Sequence, residues 1–449
     1  GRHGRQALAV RIDFPYPGIA PLEVPQANLV GVFRPQVVPA APPVAEQVAA
    51  ALRAPIASPP LGELVGPRTS VLILVDDYTR PTPVAEMLPP LIAELAAAGV
   101  PASGIKLLVA SGTHRLMTGE ELAARLGPQI LRTYQVFQHR WQDPHDLAPA
   151  GETSGGLPIV VNRRLLEAGL VLGLGRIVPH RVAGFSGGAK IVNPGAFGHT
   201  SGRQEIHWLS AQVPARAILG VADNYVRRAI DEAGARVGLR FIVNVVQDDA
   251  GKVAGVFAGD PVAAHRRGVG LCRDLYGLPR AELADVVVVD SYSADASFCH
   301  AARAAWAGEL AVRPGGALVL VTPCPEGVGR HHPAVLEFGV RSRRELERLT
   351  ERGEIDDVVA AAILMLTAWV VRERASGIMV CPGIAPQDQY RLGFTPARTP
   401  QDALELAFQR LGRDARVAVF HHGAEILPLV PQEFEMQASA AATGAAPAA

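Results

Sequence analysis

Val71-Leu-Ile-Leu-Val75, followed without a break by Asp76-Asp77-Tyr78-Thr79-Arg80-Pro81-Thr82-Pro83, is the stretch that decides the fold. A short, continuous apolar run of this kind reads as a strand buried on both faces, the habit of a parallel sheet. The polar loop at its carboxyl end gives way to a helical pattern over Val84–Ala98. The unit then repeats. Ile105-Lys-Leu-Leu-Val-Ala110 runs into Ser111-Gly112-Thr113-His114-Arg115, and a helix starts at Thr118 with Glu121 as its capping-box partner. A third copy has Gly169-Leu-Val-Leu-Gly-Leu174, then Val178-Pro179-His180 and the loop Gly184-Phe-Ser-Gly-Gly-Ala-Lys190-Ile-Val-Asn-Pro-Gly195. The strand Phe241–Val246 and a turn at Asp248–Lys252 close this half. Strand, polar loop and helix in alternation predict an α/β sheet whose ligands sit outside the carboxyl ends of the strands.

Outward from this core, residues 1–70 read as an irregular, Pro-rich lead-in with one short helix near Val44–Leu52. A second half begins near Ala281: strands at Asp285–Asp290, Gly316–Thr322, Ile378–Cys381 and Val417–Phe420, a helix over Ala294–Leu310, and two more within Arg344–Ala375. The expected fold is therefore α/β in two domains, each a mainly parallel sheet flanked by helices, with the active site in the interdomain crevice. The expected bounds are 1–278 for the N-terminal catalytic and cofactor-binding domain and 279–430 for a C-terminal domain closing over the substrate. Residues 431–449 are expected to be a disordered, Ala-rich tail.

Composition narrows the function classes. The 449 residues carry 43 Lys or Arg against 43 Asp or Glu, a formal charge of zero that argues against nucleic acid as a partner. With 49% hydrophobic residues and 19% charged, the chain has ample material for a large core and no signature of disorder over most of its length. No stretch of about 18 apolar residues predicts a membrane span. Cys272, Cys299, Cys324 and Cys381 lie far apart, which fits neither a metal knuckle nor a disulfide framework and suits a reduced, cytoplasmic setting. Only three basic residues are lysines, Lys106, Lys190 and Lys252. An amine, unlike a guanidinium, can be deprotonated and acylated, so each of the three merits a question.

If the sheet is parallel, Asp77, Arg80, His114, His180 and the Lys190 loop converge on one crevice. Two imidazoles in a cleft can act as general base and general acid on opposite sides of a substrate. A lone histidine is more often a structural hydrogen-bonding group; two on successive loops shift the balance. Ser186-Gly-Gly-Ala-Lys190 resembles a phosphate loop only superficially, since the spacing is not GxxxxGK[ST]. Its glycines would still let backbone N–H groups approach an anion. Downstream, Gly198-His199-Thr200-Ser201-Gly202-Arg203-Gln204-Glu205-Ile206-His207-Trp208 offers imidazoles as metal ligands, yet too few for a protein-only zinc site. A metal held by His207 must draw its other ligands from something that is not protein.

These segments, Asp77-Tyr-Thr-Arg80-Pro, Ser111-Gly-Thr-His114-Arg and Pro179-His180 with the loop to Lys190 and Pro194-Gly195, resemble the nickel-dependent lactate racemase family in order and in spacing. The resemblance implies an isomerase that racemises or epimerises a 2-hydroxyacid by reversible hydride transfer. It implies a covalently bound nickel-pincer nucleotide, a pyridinium-3-thioamide-5-thiocarboxylic acid mononucleotide with nickel. Lys190 matches the attachment lysine, and His207 matches the nickel ligand, with His199 as its rival. His114 and His180 match the two bases, one for each enantiomer. Asp77 and Arg80 match residues that contact the nucleotide, and Ser186, Gly187 and Gly188 would help to enclose it. Cofactor-synthesis enzymes are implied as partners, and a homo-oligomer is left open.

One departure bears on the substrate. Where the lactate enzymes carry a Gln and, three residues on, a Lys beside the substrate carboxylate, this chain has His300-Ala-Ala-Arg303. Arg303 keeps the charge and adds a bidentate fork. His300 changes shape and hydrogen bonding, so the expected substrate is bulkier or more polar than lactate. A nucleotide or sugar-phosphate binding protein without redox chemistry is the alternative, and it predicts loss of a base or of the lysine, neither of which is lost. A dehydrogenase lacks its GxGxxG fingerprint, and a metal hydrolase its HExxH.

Overall fold

The computed structural model describes residues 8–198, 205–279 and 282–429. The chain divides into two compact units.

The first unit holds Gln36–Leu209 and Gly220–Leu275. Its six-stranded sheet has the spatial order Val253–Gly259, Leu239–Gln247, Leu170–Arg176, Val71–Val75, Ile105–Val109, Gln135–Gln138. All neighbours are parallel except the Val253–Gly259 edge, which runs antiparallel. Every residue of Val71–Val75 and of Leu170–Arg176 is buried, which is why both read as unbroken apolar runs. The helices Val44–Arg53 and Val84–Ala97 cover one face, with Val48, Leu52, Met87, Leu88, Leu91 and Leu95 packed on Ile73, Leu107 and Leu172. Thr118 caps the helix Gly119–Leu126 in the expected box with Glu121.

Chain order and spatial order together create the site. From Val71–Val75 the chain moves outward through Ile105–Val109 to Gln135–Gln138, then returns to lay Leu170–Arg176 on the opposite side of Val71–Val75. Loops leaving these two adjacent strands diverge, and that switch point at the carboxyl ends is where open α/β sheets bind ligands.

The second unit has its own six-stranded sheet, ordered Phe394–Pro396, Ala375–Val380, Val312–Val321, Ala284–Asp290, Val417–Phe420, Leu29–Phe33, with every pairing parallel. The helix expected over Ala294–Leu310 is shorter, Phe298–Gly308, because residues 291–297 form the polar exit from the Asp290 strand. Val358–Ala368 is a helix buried on all sides, and no described helix is long and apolar enough to cross a membrane.

The lead-in departs from the expected bounds. Described residues up to Pro35, together with Ser210–Leu219 and those from Tyr276 onward, belong to the second unit rather than to a continuous 1–278 domain. Leu29–Phe33 pairs in parallel with Val417–Phe420, and the Phe33 and Phe420 rings stack at 4.9 Å. The hairpin Ala9–Ile12 with Leu22–Pro25 adds Ile12, Leu22 and Val24 to the core of that sheet. An edge strand finds its partner by burial, not by nearness in sequence, and the lead-in carries no local sign of a partner nearly the whole chain away. The tail expected at 431–449 lies entirely outside the described residues.

Close approach, not turn geometry, fixes two glycines beneath the Lys190 loop. A Cβ on Gly234, inside the helix Tyr225–Arg236, would lie 2.6 Å from Ala189 Cβ, and one on Gly173 would lie 2.7 Å from Ile191 Cγ2. Helix propensity favours alanine over glycine by about 1 kcal/mol, whereas forcing a methyl group against a packed neighbouring methyl costs about 1–3 kcal/mol. Gly234→Ala is therefore expected to lower stability in urea denaturation; a gain would mean that helix and loop part freely.

Candidate active site

The loop after Val75 is pinned from below. Arg125, on the capped helix, donates to the Asp76 carboxylate, to the Asp76 carbonyl at 3.1 Å, to Arg80 O at 2.6 Å and to Thr82 O at 3.0 Å, while Thr82 Oγ1 donates to Asp76 Oδ2 at 2.6 Å. With Asp76 so engaged, Asp77 is left to face the next loop. Its Oδ2 lies 2.7 Å from His114 Nδ1, and its Oδ1 accepts Thr79 Oγ1 at 2.5 Å and Thr79 N at 3.1 Å. Burial pushes the Asp77 carboxyl up, but the His114 ring, with Arg80 and Thr79, outweighs this and holds it well below the usual carboxylate range. A carboxylate on Nδ1 fixes the imidazole tautomer and makes Nε2 the basic nitrogen. Arg80 Nη1 donates to the Thr79 carbonyl and hydroxyl, closing the same turn.

The His114 loop is itself held at both ends. His114 N donates to Ser111 O, Gly112 N donates to Gly195 O at 2.8 Å, and Ser111 Oγ donates to His139 O at 3.1 Å. His139 is fully enclosed, its Nε2 bonded to Phe197 O at 2.7 Å. Gln247 Nε2, at the end of the Leu239–Gln247 strand, reaches Pro81 O at 3.1 Å. The loops carrying Asp77, His114 and Lys190–Gly195 are thus knit to one edge of one sheet.

His180 and the Lys190 loop follow the switch-point strand. Pro179–His180 forms a two-residue ladder with Gly184–Phe185. His180 is buried, and its Nδ1 accepts the Val182 N–H at 3.2 Å, so the proton of the neutral ring sits on Nε2. Ser186, expected to help enclose a nucleotide, has its hydroxyl committed within the loop: it donates to Arg176 O at 2.8 Å and accepts Val178 N–H at 2.9 Å. Gly187 and Gly188 have φ of +79° and +59°, and Gly188 N donates to Asn244 Oδ1 at 2.7 Å. Buried Arg227 donates to the carbonyls of Ala183, Phe185 and Gly187 and holds the loop from beneath. Burial lowers its pKa to about 10, which still leaves it charged at neutral pH. Lys190 is half-buried on the turn Gly188–Ile191.

His207 lies on the short helix Ile206–Ala211, with Nδ1 2.6 Å from Glu205 Oε1 and its backbone N donating to Glu205 Oε2 at 2.7 Å. His199 lies outside the described residues. In the second unit His300 and Arg303 share the helix Phe298–Gly308; Ser297 Oγ is 3.0 Å from His300 Nδ1, and Arg303 Nε donates to His300 O at 3.2 Å. Among the described residues no group of three or more His, Cys, Asp or Glu could hold a metal ion. Sequence reasoning missed Glu205, Arg125, Arg227 and His139; for Glu205 alone a signal was present, a carboxylate two places ahead of a candidate ligand.

Residues 18–216 match the model of the lactate racemase N-terminal domain. The lactate racemase of Lactiplantibacillus plantarum is 27% identical over 388 residues, covering 85% of this chain and 90% of that protein. Over most of its length the chain is similar to lactate racemases. The lactate racemase of Thermoanaerobacterium thermosaccharolyticum is likewise 27% identical, covering 84% of this chain and 88% of its own length. The apoprotein structure from the same organism superposes with a TM-score of 0.82 at 25% identity, over 94% of this chain and 100% of that one. A Thermotoga maritima protein at 21% identity shares the fold, with a TM-score of 0.69 over 88% of this chain and 100% of that one. These likenesses indicate an isomerase of the racemase type.

Two buried histidines give the site's scaffold a pH signature. Burial pushes His139 down to about 4, and burial with Arg227 and Arg266 nearby pushes His265 well below the imidazole range. An unfolded histidine titrates near about 6.5, so below that pH the unfolded chain takes up protons the folded one refuses. Stability is fully present above the unfolded value and is lost as pH falls from there toward about 4. The urea midpoint should drop across this window, and His139→Gln should make the drop shallower; an unchanged slope would remove His139 from the account.

Proposed function

We propose that this protein racemises or epimerises a 2-hydroxyacid using a nickel-pincer nucleotide joined to Lys190. The observation that carries the reading is the Asp77–His114 pair at 2.7 Å, beside the switch point that also bears His180 and the Lys190 loop. The residues fit such a cofactor. One imidazole, His207, has its Nδ1 bound by a carboxylate, which leaves Nε2 as a lone-pair ligand atom, and a metal with a single protein donor needs an organic group to complete its field. Buried Asn193 Nδ2, three residues after Lys190, has no hydrogen-bond partner and so is a donor available to an acceptor group. When bound, the cofactor supplies a hydride acceptor.

The chain's own residues handle protons and charge. His114, oriented by Asp77, takes the 2-hydroxyl proton at Nε2, and the imidazolium so formed is stabilised by the buried carboxylate. His180 serves the opposite face. Arg80 binds the nucleotide's phosphate. Ser186, Gly187 and Gly188 shape the loop around it through the bonds described above. Arg303 binds the substrate carboxylate, and His300 beside it favours an acid bulkier or more polar than lactate.

Protein made alongside cofactor-synthesis enzymes should carry an adduct of nucleotide mass that disappears in Lys190→Ala. His114→Ala and His180→Ala should each keep the adduct and lose turnover. Because racemisation of a single centre has an equilibrium constant of unity, either loss must depress kcat/KM equally from both enantiomers. An unmodified Lys190 in protein that still inverts stereocentres would defeat the proposal. In a panel of 2-hydroxyacids, longer or dicarboxylic acids should turn over faster than lactate; the reverse order would withdraw the role given to His300.

A further inference from the structure

His207 has both of its near donors, the ring Nδ1 and its own backbone N–H, taken by one carboxylate. Glu205 Oε1 lies 2.6 Å from Nδ1 and Glu205 Oε2 accepts the backbone N–H at 2.7 Å, so the carboxylate is fixed at two points and the ring can rotate only by breaking a charge-assisted bond. A histidine side chain free in water favours the opposite tautomer, with its proton on Nε2. The pair is partly shielded from solvent, with side-chain exposures of 18% and 14%, so the bond is not lost to water.

We infer that Glu205 is a positioning residue for His207, holding it as the Nδ1–H tautomer so that Nε2 presents its lone pair to a metal. The inference rests on the reading of His207 as the nickel ligand. Metal-bound histidines commonly donate their second N–H to a carboxylate, which fixes ring orientation and raises ligand basicity, and removing that partner typically costs about 10–100-fold in metal affinity. A backbone carbonyl could fix the tautomer equally well; a carboxylate adds negative charge, which suits a soft, electron-rich nickel donor set.

Two measurements separate this inference from the reading beneath it. In cofactor-free full-length protein labelled with 15N-histidine, the His207 signals, assigned by their loss in His207→Gln, should show a protonated Nδ1 and a pyridine-type Nε2. In Glu205→Ala the assignment should invert. In cofactor-loaded protein, Glu205→Ala should keep the Lys190 adduct but retain nickel 10–100-fold more weakly against a chelator, with a shifted visible absorption, and Glu205→Gln, whose amide oxygen can still accept the N–H, should recover most of the retention. A wild-type ring protonated on Nε2, or Glu205→Ala holding nickel as tightly as wild type while His207→Ala loses it, overturns the role of Glu205 and leaves the ligand intact. Nickel retained equally in His207→Ala means instead that His207 is not the ligand, and the inference falls with it.

Discussion

The parallel pairing of Val71–Val75 with Leu170–Arg176 is the constraint on which the rest of the first unit depends. Parallel neighbours put their carboxyl ends on one edge of the sheet, and the chain order sends the two loops apart. Into that gap the protein places loops with little regular structure, which would leave many backbone carbonyls unpaired at low dielectric. Two guanidiniums meet the need. Arg125 collects acceptors from residues 76–82, and Arg227 collects those from 183–187. Each is a buried charge whose desolvation is costly, and each is offset by several charge-assisted bonds and a nearby carboxylate, Asp76 for one and Asp231 for the other. Lysine, with its compact ammonium, could not bridge so many carbonyls in one plane.

Continuous apolar strands were legible in the sequence because burial on both faces leaves no room for anything else, and the helices between them followed from capping and period. Edge strands were not. Gln135–Gln138 is partly exposed and polar, Val253–Gly259 contains two glycines, and Leu29–Phe33 sits in a proline-rich segment whose partner is Val417–Phe420. What marks an edge strand is the neighbour it lies against, and that neighbour is remote in sequence.

The candidate site residues stand out in the sequence for a different reason: lysine is scarce in this chain, and Lys190 and two histidines sit at strand ends. Their partners were harder. Beside the nucleotide contact that the resemblance implies, the Asp77 carboxylate also bonds His114 and Thr79, which no motif spells out. Ser186, in the loop the resemblance places around a nucleotide, has its hydroxyl bridging Arg176 and Val178. A sequence shows which groups can form hydrogen bonds but not which of several nearby groups will, because that choice is settled by distances of a few tenths of an ångström set in packing.

The two candidate bases are wired in opposite senses, and the difference has chemical weight. His114 Nδ1 faces a carboxylate held ionised by its surroundings, so a second proton on Nε2 would leave the bond to Asp77 in place. His180 Nδ1 instead accepts the Val182 N–H, so a second proton there would set donor against donor and break that bond. Protonating His180 therefore requires the short ladder of Pro179–His180 with Gly184–Phe185 to adjust, and that ladder leads directly into the loop of Lys190. A racemase needs one histidine ready to take a proton and another ready to give one. On the proposed reading, the acceptor's part at rest would fall to His114, and protonation of His180 would disturb the turn that holds Val182 N–H.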